Sequence, residues 1–200
     1  MAFPHVIVFL RAPELGKVKT RLAATVGPAV ALTIYERLLA LTFAALRQVP
    51  EVTLRVTPDT AIPAVTRWRQ PGWNLAPQGE GDLGTRLARA VADSGVSAAR
   101  PVVVIGCDCP QLAVTDLVEA AWELEEKDVV LGPATDGGYW LIGLRRPAPE
   151  LFRGISWGTD RVLTESLAAA ATAGFSVGRL RELRDVDTEA DWQAWLASVR

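Results

Sequence analysis

Cysteine and histidine are scarce in this chain: 200 residues include two Cys and one His. Cys107 and Cys109 are separated by a single residue, a spacing unsuited to a disulfide staple, which fits a reducing cytoplasm as the expected location. One His and two Cys are too few for a convincing zinc site. A large excess of charge of one sign is missing too. With 21 basic and 23 acidic residues the formal net charge is -2, which excludes a global attraction to nucleic acid or to an anionic membrane. No apolar run is read as approaching the roughly 18 residues of a membrane span. The start, Met1-Ala2-Phe3-Pro4, has no basic flank of a signal peptide. Internal repeats, low-complexity tracts and linkers are absent. So is a Walker A loop: its first glycine would fall at Arg11, and Val18 follows Lys17 where Ser or Thr is required.

What is present reads as one globular domain over residues 1–200. Half of the residues are hydrophobic and 22% are charged, enough to build a real core. Strands are expected at Val6–Leu10, Val52–Val56, Trp73–Ala76, Val102–Ile105, Val129–Leu131, Tyr139–Leu144 and near Phe175–Val177. Helices are expected from Gly27-Pro28, with Val30, Ile34, Leu38, Leu41 and Ala45 as the inner stripe, and from about Ala61. Others should cover Asp82–Asp93, a segment capped by Thr115 and running to Lys127, Thr159–Ala173, and a last helix with Trp192, Trp195, Leu196 and Val199 on one face. The Pro28 helix is apolar round much of its circumference, which leaves a homodimer contact open. Strands alternating with helices predict a three-layer α/β/α sandwich with a mostly parallel sheet.

The most informative segment is Pro101-Val102-Val103-Val104-Ile105 followed by Gly106-Cys107-Asp108-Cys109-Pro110. Four β-branched residues form a strand buried on both faces. Glycine and proline end it and leave Asp108 at the carboxyl edge, where open α/β sheets bind ligands. A carboxylate there suits a metal on a phosphate; a turn or cap role is the plain alternative. Arg11 to Arg21 places Arg11, Lys17, Lys19 and Arg21 in the loop after the first strand, suited to a di- or triphosphate or simply a solvated basic loop. Gly79-Glu80-Gly81-Asp82-Leu83-Gly84 has the G-x-G-x-x-G spacing, but the preceding strand is short and closed by proline, so a loop capping a helix is the better reading than a dinucleotide site. Asp136-Gly137-Gly138 is either a plain turn or an acceptor contact. Asp185 and Asp187 alternate on an extended segment and point to one side, able with Asp108 to make an oxygen site for magnesium or manganese, or else a hydrated acidic edge. His5 has no evident partner.

Taken in order, these segments resemble the nucleotide-diphospho-sugar transferase superfamily, the Rossmann-like glycosyltransferase A fold. Within it the chain is similar to the bacterial radical-SAM/selenodomain-associated transferases. The carrying residues are Arg11-Ala12-Pro13 with Gly16 to Leu22, Gly81 to Gly84 with Arg86, Gly106 to Pro110, Gly132-Pro133 with Asp136 to Tyr139 and Leu141 to Gly143, Trp157, and Asp185 to Thr188. Two positions depart from the pattern: Arg11 stands where lysine is usual, and Asp108 is flanked by cysteines instead of forming Asp-x-Asp. The resemblance implies a metal-dependent glycosyl- or nucleotidyltransferase using a nucleotide or nucleotide-sugar donor and a small-molecule acceptor. It implies Arg11, Lys17, Lys19, Arg21, Gly81, Asp82, Gly84 and Arg86 at the nucleotide, and Mg2+ or Mn2+ on Asp108 with Asp185 or Asp187. Lys19, Asp108 and Asp136 would be catalytic, and Asp136, Gly137, Gly138, Tyr139 and Trp157 would face the acceptor. The competing readings are a nucleotide-binding regulator without turnover and a dinucleotide-dependent oxidoreductase.

Overall fold

The computed structural model describes residues 3–199. The chain runs β1 (His5–Arg11), α1 (Thr20–Val26), α2 (Pro28–Ala45), β2 (Val52–Thr57), α3 (Ile62–Val65), β3 (Trp73–Pro77), α4 (Leu83–Asp93), β4 (Val102–Ile105), α5 (Val114–Glu126), β5 (Val129–Pro133), β6 (Tyr139–Leu144), α6 (Val162–Thr172), β7 (Val177–Arg179) and α7 (Glu189–Ser198). The strands form one seven-stranded sheet in the order β3-β2-β1-β4-β6-β5-β7. Only β6 runs antiparallel to its neighbours; the other pairings are parallel.

Strand alternation builds two cores. Val6, Val8 and Leu10 of β1 face one side of the sheet, with Leu39 and Phe43 of α2 and Leu117 and Leu124 of α5. Ile7 faces the other, with Leu87 and Val91 of α4 and Ala170 of α6. The result is the expected three-layer sandwich. Each fully buried Leu or Val contributes about 1.5–3 kcal/mol relative to exposure, so the sheet faces supply the main drive to fold. A third cluster of Leu22, Ala31, Ile34, Leu38 and Val186, with Trp192 against it, joins α1, α2 and α7. It anchors the late acidic segment beside the first loop.

Several expectations are corrected in detail. The inner stripe of α2 is Ala31, Ile34, Tyr35, Leu38, Leu39 and Phe43. Val30 is 49% exposed, because the helix serves two cores at once and its buried face is wider and rotated. By length and composition alone α2 is also apolar enough to cross a membrane, although Glu36 and Arg37 interrupt its apolar run and its buried face packs into the first core and the third cluster. Helix α5 is capped not by Thr115 but by Asp116, whose carboxylate accepts the Ala113 N–H at 2.8 Å. Helix α6 starts at Val162, since Thr159 spends its hydroxyl on a turn, donating to the Ser156 carbonyl at 2.8 Å. The last strand lies at Val177–Arg179 because Phe175 is buried under the Arg146 guanidinium, 4.2 Å from its ring centroid. On α7, Trp192 and Trp195 stack at 4.8 Å, while Val199 lies just past the helix end and is 62% exposed. His5 does have a partner: its Nε2 lies 2.9 Å from Thr53 Oγ1 inside the sheet.

Candidate active site

Three chain segments meet at the carboxyl edge of β1 and β4. The first is the loop from Arg11 to the start of α1. Tyr35 fixes its root: the hydroxyl donates to the Arg11 carbonyl at 2.7 Å and accepts the Arg11 N–H at 3.1 Å. Lys19 caps α1 in a left-handed conformation, with φ of 46°. That backbone, uncommon for a residue with a Cβ, turns its side chain inward; the side chain is only 6% exposed. The second segment is Gly106 to Pro110 after β4. The third, Asp185 to Thr188, is tied to the second by the Val186 N–H, which donates to the Asp108 carbonyl at 2.9 Å.

At the meeting point the Lys19 ammonium lies 2.5 Å from Asp108 Oδ1 and 2.9 Å from Asp187 Oδ1. Arg21 holds the other oxygen of Asp187. Burial pulls the Lys19 pKa down, but the two carboxylates together outweigh it and hold the ammonium above the ordinary lysine range. The distant acids do converge as the sequence suggests, and the group between Asp108 and Asp187 is Lys19. Asp185 stands beside them. Burial first, then the carboxylates of Asp136 and Asp187, raise its pKa to about 6. Thr135 Oγ1 donates to it at 3.4 Å.

This cluster separates two clefts. The first, of about 400 Å³, is lined by Arg11, Lys17, Lys19 and Arg21 together with Tyr35 and Gln78. The second, of about 290 Å³, is lined by Asp136, Asp185, Gly138, Tyr139, Trp140 and Trp157 among others. Phe9, Leu83, Asp108 and Asp187 border both. The Tyr139 and Trp157 rings meet edge to face at 6.2 Å. Trp157 is steadied by its neighbour Ser156, whose N–H donates to Glu165 at 2.6 Å.

The glycine loop caps a helix, the reading its own residues favoured over a dinucleotide site. Of that loop, Leu83 reaches the clefts. Asp82 caps α4 by accepting the Thr85 N–H at 2.8 Å. Arg86 donates to the Gly81 carbonyl at 2.8 Å and braces the loop. Gly84 is a packing glycine: a Cβ there would lie 2.3 Å from the Phe152 carbonyl oxygen and 2.6 Å from Trp157 Nε1. Gly81, Asp82, Gly84 and Arg86 thus shape the wall without lining it. Gly137 has φ of +88°, and a Cβ there would meet the Asp160 carbonyl oxygen at 2.3 Å; its absence lets the segment before α6 close on the second cleft. Asp136 accepts the Gly138 N–H at 2.8 Å through Oδ1. Tyr35 and Gln78 went unrecognised in the sequence. Gln78 is buried and donates to the carbonyls of Leu10 and Arg55 at 3.1 and 3.0 Å, and a lone glutamine after a weak strand carries no local signal of that role. Cys107 and Cys109 are free and buried, and burial pushes both thiols up and keeps them protonated.

Residues available to a metal ion are carboxylates. Among the described residues no group of three or more His, Cys, Asp or Glu forms a ready cluster. A magnesium ion, however, commonly takes one or two carboxylates and completes its shell with water and substrate phosphates. The convergence of Asp108 and Asp187, with the crowded Asp185 nearby, fits that chemistry.

Many solved structures share this fold. A crystal structure from Desulfovibrio desulfuricans G20, provisionally named a nucleotide-diphospho-sugar transferase, is 30% identical with a TM-score of 0.90, over 100% of this chain and 89% of the other. The inositol-1-phosphate CTP transferase of T. maritima is 14% identical with a TM-score of 0.64, over 100% and 95%. Rv0371c of Mycobacterium tuberculosis H37Rv in complex with manganese is 18% identical with a TM-score of 0.56, over 98% and 99%. The latter two likenesses are of fold alone. No curated protein matches the chain. Residues 40–159 match the family described as an uncharacterized protein conserved in bacteria. With that match and the Desulfovibrio likeness, the chain belongs to this DUF2064 family, on a nucleotide-diphospho-sugar transferase-like fold.

Proposed function

We propose that this protein is a metal-dependent transferase whose donor is a nucleotide or nucleotide-diphospho-sugar. The observation that carries the reading is the Lys19 ammonium shared by Asp108 and Asp187 on the wall between a cationic cleft and an acidic, aromatic one. The donor's phosphates lie in the first cleft. Arg11 and Lys17 are exposed there, and arginine can grip two phosphate oxygens at once. Lys19 stands at the junction with a fixed positive charge, placed to stabilise the negative charge that builds on the leaving group. Such preorganised charge is usually the largest contribution to this type of catalysis.

Asp108 and Asp187, or Asp185, would hold magnesium or manganese through oxygen donors. When bound, the ion neutralises charge on the diphosphate. The side chains of Asp108 and Asp187 are 48% and 24% exposed, so both keep open surface toward an ion beside Lys19. The acceptor occupies the second cleft, lined by Asp136, Tyr139 and Trp157; there Asp136 takes its proton and the two rings form the aromatic wall. The names of the fold relatives support the reading: one is a CTP transferase, another was captured with manganese.

Incubation with magnesium, nucleoside triphosphates or nucleotide-sugars, and a panel of small acceptors tests it. The expected result is release of pyrophosphate or of a nucleoside diphosphate that depends on the acceptor. Release of neither across the panel contradicts the proposal.

A further inference from the structure

The charges around the two clefts are unevenly divided. The basic residues Arg11, Lys17, Lys19 and Arg21 line the first. The second is lined by Asp108, Asp136, Asp185 and Asp187 and, among the described residues, by no Lys, Arg or His. Two of the four cations are already engaged, Lys19 by Asp108 and Asp187 and Arg21 by Asp187. Arg11 and Lys17, on the far side of that wall, form no ion pair among the described residues and are the ones left for the donor's phosphates.

A phosphate ester in the second cleft would therefore bring its own negative charge among four carboxylates, where the cations in contact, Lys19 and Arg21, are already held by Asp108 and Asp187. Uncompensated charge in a partly enclosed site is strongly disfavoured. An ion held by Asp108 and Asp187 would still leave Asp136 facing the cleft uncompensated. An uncharged ring with several hydroxyls meets the opposite conditions. Ionised carboxylates only accept hydrogen bonds and so match hydroxyl donors, while the half-buried Trp157 side chain lining the cleft can cover the ring's C–H surface.

Resting on the transferase reading above, we propose that the second cleft takes an uncharged polyhydroxylated ring, a sugar or cyclic polyol, and that the reaction is glycosyl transfer instead of nucleotidyl transfer to a phosphate ester. In that step an acceptor hydroxyl oxygen bonds to the anomeric carbon of the donor sugar. The bond from that carbon to the diphosphate oxygen breaks, and its electron pair leaves with the nucleoside diphosphate. The hydroxyl proton passes to Asp136, whose Oδ1 is held by the Gly138 N–H, leaving Oδ2 to receive it.

Titration calorimetry separates this from its alternatives. The protein is first titrated with nucleoside diphosphates in magnesium. Saturated with the one that binds tightest, it is then titrated with glucose, mannose and myo-inositol and with their monophosphates. The expected result is saturable binding of at least one neutral compound and about tenfold or more weaker binding of its phosphate. Asp136→Asn, which removes a charge and keeps the turn's acceptor, should narrow that difference, and Trp157→Phe should bind the neutral compound more tightly than Trp157→Ala. Equal or tighter binding of the phosphates, or binding of no neutral compound, overturns the inference. Failure of every nucleoside diphosphate to bind in the first titration overturns the underlying transferase reading instead.

Discussion

Lys19 and Asp187 are 168 positions apart in the chain, yet Nζ of one lies 2.9 Å from Oδ1 of the other. The contact closes the first loop onto the last acidic segment and sets the ammonium beside Asp108. Two clefts of opposite character are thereby joined at one cation.

Replacing that cation tests its place. Lys19→Met leaves Asp108 without its counter-charge and Asp187 with Arg21 alone, and both carboxylates are partly exposed, so the stability cost should be modest, about 1–3 kcal/mol. Transfer should fall by about 100-fold or more. The raised pKa of Lys19 means that its ion pairing is complete below the ordinary lysine value of 10.5 and is lost only as the pH rises above it. A melting curve that falls between about pH 7 and 9 in the wild type but not in Lys19→Met would contradict this assignment.

Gly84 offers a second test, of packing against ligand contact. A methyl group there would press on the Phe152 carbonyl oxygen and the Trp157 indole. Gly84→Ala should lower stability by about 1–3 kcal/mol, as overpacking does, and should disturb the second cleft through Trp157. Nucleotide affinity of the folded variant should stay within about twofold of wild type. An unchanged melting temperature with lost nucleotide binding would instead make Gly84 a direct ligand contact.

His5 gives a pH dependence far from the site. Burial lowers its pKa below 6.5, with the Glu51 carboxylate partly opposing. The folded imidazole stays neutral where the unfolded one takes up a proton. Its contribution is therefore complete above about pH 6.5 and declines as the pH falls through that value. Melting temperatures from pH 7.5 down to 5 should fall more steeply for the wild type than for His5→Gln. Parallel slopes would remove His5 from the acid sensitivity of the fold.

The sheet was largely legible because its strands are runs of β-branched residues, as in Val102–Ile105, with glycine or proline at their ends. The antiparallel course of β6 was not, since strand direction depends on which neighbours it pairs with. Asp108 stood out because a carboxylate at the end of a buried strand has no packing purpose. The separate fates of Lys17 and Lys19 could not be read: both lie in one basic loop, and only the left-handed backbone at Lys19 turns that side chain inward. Thr115 and Asp116 are adjacent cap formers, and the choice between them rests on where the chain bends at Ala113. The spacing of Gly79, Gly81 and Gly84 mimics a dinucleotide fingerprint because a loop that must turn tightly and then press a helix against an aromatic ring needs glycine for both tasks.

The most direct test of the account is calorimetric binding of nucleoside di- and triphosphates with and without magnesium, in the wild type and in Asp108→Asn. The account predicts that magnesium tightens binding by about tenfold or more in the wild type and that Asp108→Asn, with its fold intact by circular dichroism, loses that gain while Arg11 and Lys17 retain residual affinity. Equal affinity with and without magnesium in the wild type, or an undiminished magnesium effect in Asp108→Asn, would contradict it.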